Sequence, residues 1–237
     1  MSMDTCHECG NEYKRIATHW STTDCPYKPF TEKQHEIVKG LLMGDGCLRT
    51  TNKYPHVQMQ MTSEKYLLHL SNEIFPTISG RVNMKQTAEN SAKSDRKTGF
   101  NPRAKTENYS NIYNLTVVSH PELQRYVRWY RTGEKVFPKN LELTPECLKH
   151  YFAGDGSLCE GKYARITLCN EHSNKDKINK MFDNVGLSDF YWADRKRKSR
   201  SGHHCSIKFT LEGTNKFYDY IGEPVPGLEY RWPEDRR

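Results

Sequence analysis

No stretch of the 237-residue sequence is apolar over the length that a membrane-spanning helix needs, so a helical membrane protein is not expected. The first thirty residues mix acids, cysteines and histidines, which suits neither a signal peptide nor a transit peptide. Disulfide spacing is missing too: eight cysteines are scattered, and no secretory signal accompanies them. That combination favours a reducing, intracellular compartment, cytoplasmic or nucleoid-associated, with metal ligation in place of disulfides. A splicing-type Cys or Ser start and a terminal His-Asn pair are absent, which counts against an intein origin. Charge is abundant and unbalanced: 36 Lys and Arg against 29 Asp and Glu leave a net +7. Such an excess fits a polyanionic partner, DNA or RNA. The length suffices for one large domain or two small halves.

What is present, above all, is a repeat. Gly40-Leu41-Leu42-Met43-Gly44-Asp45-Gly46 returns as His150-Tyr151-Phe152-Ala153-Gly154-Asp155-Gly156, each ending in Gly-Asp-Gly. Thr31 with Gln34 forms a capping-box pattern upstream of the first copy. Thr144 followed by Pro145 suits an N-cap and first helical position upstream of the second. The glycines stop each helix, so Asp45 and Asp155 fall at helix C-termini, where the macrodipole disfavours negative charge. Carboxylates placed there twice imply a cation.

These residues resemble the LAGLIDADG homing endonucleases in their single-chain form, which carries two motif copies. Val38-Lys39-Gly40-Leu41-Leu42-Met43-Gly44-Asp45-Gly46 fits the first, and Leu148-Lys149-His150-Tyr151-Phe152-Ala153-Gly154-Asp155-Gly156 the second. The resemblance implies an α+β fold: two pseudo-symmetric αββαββα halves, 31–138 and 139–237, forming a DNA-binding saddle behind a small zinc module over 1–30. In that family the motif helices pack side by side and their terminal acids meet at the base. Gly40 and Gly44 allow close approach, whereas His150 stands where the family usually has a small residue.

The clustered cysteines lie at the N-terminus. Cys6, Cys9, His19 and Cys25, spaced C-x2-C-x9-H-x5-C, could give Zn²⁺ a closed tetrahedral site, with His7 a poorly placed rival. Tyr13, Ile16 and Trp20 could form the small core that the metal lets fold. The module looks like the zinc fingers appended to many mobile-element endonucleases.

Strict alternation at 56–61 puts Val57, Met59 and Met61 on one face, and at 163–168 it puts Ala164, Ile166 and Leu168 there. The opposite faces hold Gln58, Gln60, Arg81, Asn83 and Lys85 in the first half, and Arg165, Thr167 and Lys208 in the second. A sheet with one polar-basic face packs helices behind and meets something charged in front. With Arg49, these side chains are the expected DNA contacts. Two basic stretches, 86–107 and Arg195-Lys196-Arg197-Lys198-Ser199-Arg200, read as loops that grip phosphates, the second at a hairpin tip.

The resemblance further implies site-specific hydrolysis of double-stranded DNA by a monomer with internal pseudo-dimer symmetry. Asp45 and Asp155, with the carbonyls of Gly44 and Gly154, would hold catalytic Mg²⁺. Lys208 aligns with the family's active-site lysine, and Asn114 is its counterpart in the first half. Ser63 and Asn170 fall near positions where the family organises water. Two other functions stay open, an RNA maturase acting on its host intron RNA and a catalytically silent DNA-binding protein. Two intact acids argue against silence.

Overall fold

The computed structural model describes residues 3–237 apart from 7, 15, 24, 52, 76–78, 118, 134, 139, 169–174 and 196–203. In chain order its elements are β1 (Asp4–Thr5), β2 (Glu12–Tyr13), α1 (Ile16–Thr22), α2 (Glu32–Met43), β3 (Cys47–Arg49), β4 (His56–Met61) and α3 (Glu64–His69). Then follow β5 (Ser79–Gln86), α4 (Ala88–Thr98), β6 (Ile112–Val117) and a 3-10 segment, Pro121–Gly133. The remainder is α5 (Pro145–Asp155), β7 (Gly156–Cys159), β8 (Tyr163–Leu168), α6 (Lys175–Asp183), β9 (Phe190–Arg195), β10 (His204–Phe209) and α7 (Leu211–Ile221). The α+β class and the antiparallel pairing agree with the sequence.

Two compact units emerge, and each is discontinuous. One joins residues 1–29 to 49–123; the other joins 30–48 to 124–237. Both motif helices, α2 and α5, thus belong to the second unit.

In the first unit β4, β6 and β5 run antiparallel in that order, with Gln60 opposite Asn114 and Asn83 opposite Asn114 on the other side. Val57, Met59 and Met61 are buried, and Gln58 and Gln60 face the other way, as the alternation requires. Helix α3 starts at Ser63, whose hydroxyl accepts from the Tyr66 N–H at 3.2 Å, so Ser63 acts as an N-cap. The stretch 86–107 is not the open loop that its composition indicates. Thr87 caps an eleven-residue helix, α4, and Gly99 closes it at φ 71°. Ala, Glu, Lys and Arg are good helix formers, and burying only Ser91 and Ala92 orients the turn, so a polar sequence hides a real helix. The N-terminal module packs on this unit: Trp20 and Tyr27 meet His120 edge-on, and His120 Nε2 lies 3.0 Å from the Lys28 carbonyl.

In the second unit the strand order is β7-β8-β10-β9. Ile166, Ile207 and Phe209 are buried under it, each such burial contributing roughly 1.5–3 kcal/mol. Phe152 of α5 anchors the core against Phe217, Tyr218 and Trp232 at ring separations of 5.0, 5.7 and 5.5 Å. The capping box at Thr31 forms as its pattern indicates, and Thr144 caps α5. The bulk of His150 is absorbed by Gly40, where any Cβ would stand 2.9 Å from His150 Cβ and 2.2 Å from the Cys147 carbonyl oxygen. The two helices are therefore packed backbone to backbone along their small residues.

Candidate functional site

The base of this helix pair carries the chemistry. Helix α2 ends at Met43 with Gly44 as its cap, and α5 ends at Asp155 with Gly156 as its cap. Both carboxyls line one cavity of about 280 Å³, together with Gly44, Gly46, Lys135 and Tyr151. A Cβ on Gly154 would come within 2.8 Å of the Asp45 nitrogen, so the two turns touch directly.

Each turn is clasped by a cation. Lys135 Nζ donates to the carbonyls of Gly44 and Gly46 at 2.6 and 3.1 Å. Arg231 Nη1 donates to those of Phe152, Gly154 and Gly156 at 3.0, 2.9 and 2.7 Å. The unsatisfied carbonyls at a helix C-terminus attract positive charge, and here two side chains supply it. The carbonyls of Gly44 and Gly154, expected to bind metal, are thus already engaged by these donors. Lys135 sits just before Pro138 and Arg231 just before Pro233, near the end of each half. That matched cation-and-proline pattern was the available signal, and sequence reasoning passed over it.

The carboxyls are costly to ionise. Burial, followed by the neighbouring Asp45 charge, pushes Asp155 up to about 7 against the pull of Lys135 and Arg231. Asp45 is also raised, by desolvation, against the opposing pull of the same two cations. The demand for positive charge at this site exceeds what the two side chains provide.

Lys208 stands on the polar sheet face, as its alignment places it, and outside the cavity that holds the two acids. Strand β10 sets it opposite Arg165 on β8 and Tyr191 on β9. Its ammonium pairs with Glu160 at 3.3 Å and lies 4.5 Å from the centre of the Tyr163 ring. Lys135 and Arg231 are cations that act electrostatically on both carboxyls in addition. Asn114 stands on the polar face of the other sheet. Its Oδ1 accepts from Gln58 and Gln60, and its Nδ2 donates to Thr116.

The other expected contacts divide between the two sheets. Arg49 reaches Gln58, Lys85 reaches Gln60, and Arg165 reaches Ser157. Thr167 pairs with Ser206 across β8 and β10. Arg81 lies on β5, and its side chain is outside the described residues. Arg195 ends β9 opposite His204, which frames a hairpin. Lys196, Arg197, Lys198 and Arg200 lie outside the described residues, as do Asn170 and His7.

The N-terminal donors do converge. Ligand atoms of Cys6, Cys9, His19 and Cys25 all lie within 4.8 Å of one another. Cys6 and Cys25 sulfurs are 3.5 Å apart, and Cys9 Sγ is 3.7 Å from His19 Nε2. Thr23 Oγ1 lies 3.3 Å from His19 Nδ1, the partner that turns Nε2 toward a metal. Burial works to raise the Cys6 thiol, but the Cys9 and Glu8 backbone and the Cys25 thiol outweigh it and bring it down to about 7.

No helix among the described residues is long and apolar enough to cross a membrane. No curated protein matches the chain. Among solved structures, the homing endonuclease I-WcaI bound to its DNA recognition sequence is similar at TM-score 0.62 and 13% identity, over 88% of this chain and 86% of that one. I-DmoI in complex with DNA and Ca is similar at TM-score 0.49 and 15% identity, over 83% of this chain and 95% of that one. The I-WcaI likeness establishes the fold, and the sequence profile of the LAGLIDADG DNA endonuclease family matches residues 35–217, a span that holds both Gly-Asp-Gly turns. Two motif helices ending in paired acids are what that profile spans in this chain, which belongs to the LAGLIDADG DNA endonuclease family.

Proposed function

We propose that this chain cuts double-stranded DNA at a specific site as a monomer, with Asp45 and Asp155 holding a divalent cation, Mg²⁺ in the cell. One observation carries the assignment: Asp45 and Asp155 line one cavity where the two motif turns touch, and burial and mutual charge hold Asp155 above its ordinary range even beside Lys135 and Arg231. A pair of carboxyls that resists ionisation despite two cations favours a further positive charge. The donors are all oxygen, which suits a hard cation such as Mg²⁺, Mn²⁺ or Ca²⁺. Such an ion, when bound, would activate water and offset charge on the leaving oxygen of the phosphodiester.

The chain's own residues do the rest. Asp155, its proton released to solvent, and Asp45 from the facing turn would hold the ion. Lys135 draws the Gly44 and Gly46 carbonyls together and so fixes the direction of Asp45. Arg231 does the same for Asp155 through three carbonyls. Duplex binding falls to the polar faces of the two sheets, Arg49, Gln58, Gln60 and Lys85 on one and Arg165, Thr167 and Lys208 on the other. Arg81 and the basic run from Arg195 to Arg200 would hold phosphates.

Asp45→Asn and Asp155→Asn should each abolish double-strand cleavage. Duplex affinity should stay within about an order of magnitude, because phosphate contacts dominate it. Wild-type cleavage rates in either variant would overturn the assignment.

Cys6, Cys9, His19 and Cys25 are assigned a structural Zn²⁺. Ligands on a tetrahedral zinc stand about 3.8 Å apart for a Zn–S length of about 2.3 Å, close to the spacings found here. Protein as purified should carry about one zinc per chain. Chelation should lower the stability of the first unit, whose buried His120 rests on this module. Elemental analysis without zinc would sink the assignment.

A further inference from the structure

The polar sheet face of the first unit is one connected hydrogen-bond chain with a fixed direction. Arg49 Nε donates to Gln58 Oε1 at 3.1 Å, and Lys85 Nζ donates to Gln60 Oε1 at 2.7 Å. Arginine and lysine have donors and no acceptor, so both glutamine oxygens must turn toward them. Each glutamine amide nitrogen then points inward, where Nε2 of Gln58 and of Gln60 lie 2.9 and 3.5 Å from Asn114 Oδ1. That leaves Asn114 Nδ2 to donate to Thr116 Oγ1 at 3.1 Å. The orientation of three amides is thus settled by the two cations at the ends of the chain, and Asn114 is the acceptor on which both arms converge. Arg49 and Lys85 are exposed, while Asn114 is buried. The face therefore meets a ligand with hydrogen-bond donors.

Resting on the endonuclease reading above, we infer that this face selects guanine at the base pairs it covers, with Arg49 and Lys85 as the readers and Asn114 as a positioning residue. Guanine offers two acceptors, O6 and N7, in the major groove. Cytosine offers a donor there, and adenine pairs one donor with one acceptor. A donor-rich face satisfies guanine best and leaves an unpaired donor against the others.

The test is selection of bound duplexes from a randomised library by the full-length chain. Guanine should be enriched about tenfold at separate positions, and each enrichment should disappear in either Arg49→Met or Lys85→Met. Asn114→Leu should reduce the preference at both sites to about twofold while leaving the salt dependence of affinity unchanged. Asn114→Asp, which keeps the accepting oxygen, should restore it. A merely structural role for Asn114 would move affinity for all sequences alike. Enriched sites without guanine, or a preference that survives Asn114→Leu, would overturn the inference and leave the endonuclease reading standing. A chain that enriches no sequence would refute both.

Discussion

The two Gly-Asp-Gly turns share a sequence but not a setting. The turn at Asp45 is held by a lysine, a flexible point charge that reaches two carbonyls, and Asp45 is the more exposed residue of the two. The turn at Asp155 is held by an arginine that reaches three carbonyls, and its carboxyl is half-buried and pushed up to about 7. All three contacts come from the one nitrogen Nη1, held in the plane of the guanidinium, whereas the lysine ammonium sits at the end of a flexible stem. The lesson is that a repeated motif can be held unequally by residues far outside it, while burial and the charge of Asp45 set the proton retention of Asp155. Asp155 is the stiffer, more proton-retaining partner, and Asp45 the more open one.

Removing the clasps should have the largest effect on this inequality. Arg231→Met is expected to lower cleavage by about a hundredfold or more, and Lys135→Met by less, since it frees fewer carbonyls. Arg231→Lys should recover part of the loss, because it restores the charge on a shorter side chain that does not place its nitrogen where Nη1 stands. Measured rates on a cleaved target would show it, and equal losses at the two positions would mean that the clasps are equivalent.

Crowding the turns should be felt next. A Cβ on Gly154 meets the Asp45 nitrogen at 2.8 Å, while one on Gly44 meets Gly154 Cα at 3.3 Å. Gly154→Ala should therefore destabilise by about 1–3 kcal/mol, and Gly44→Ala by visibly less. For a chain of this size each kcal/mol lowers the melting temperature by about 2–4 °C, so thermal unfolding separates the two.

The smallest effect sharpens the acidity contrast. The folded-state value of Asp155, about 7, lies above its ordinary value of 3.8, so the native state binds the extra proton. Stability from this group is intact below pH 3.8 and is lost as pH rises through about 7. Asp155→Asn should hence match the metal-free wild type near pH 4 and melt a few degrees higher at pH 8. Asp45→Asn should gain less. A variant that melted lower at pH 8 would show that ionised Asp155 is favourable in the native state.

Much of this was legible in local sequence, and the reasons are physical. Caps at Thr31 and Thr144 act within one turn, and the alternation at 56–61 and 163–168 is imposed by the pleat, so neighbours in sequence suffice to read them. The spacing of Cys6, Cys9, His19 and Cys25 likewise closes over a short hairpin and helix. Helix α4 was hidden because its polar composition looks like loop, while its cap at Thr87 and its propensity are modest signals. Lys135 and Arg231 were hidden for a different reason. They reach the turns through tertiary packing, and their one trace in the sequence is a proline shortly after each, whereas Lys208 lies in a strand that aligns with the family. The sequence asked for a cation at each helix end, and nothing local in it said that side chains would answer first.

The central claim concerns the carboxyl pair, and carbon NMR of Asp45 and Asp155 as a function of pH, with and without Mg²⁺, tests it most directly. Without metal, Asp155 should titrate near pH 7 and Asp45 lower but above its ordinary range. Added Mg²⁺ should drive both to the ionised form by pH 6, because the ion and the proton compete for the same oxygens. Two carboxyls that titrate in the ordinary range near pH 4, unmoved by Mg²⁺, would contradict the account.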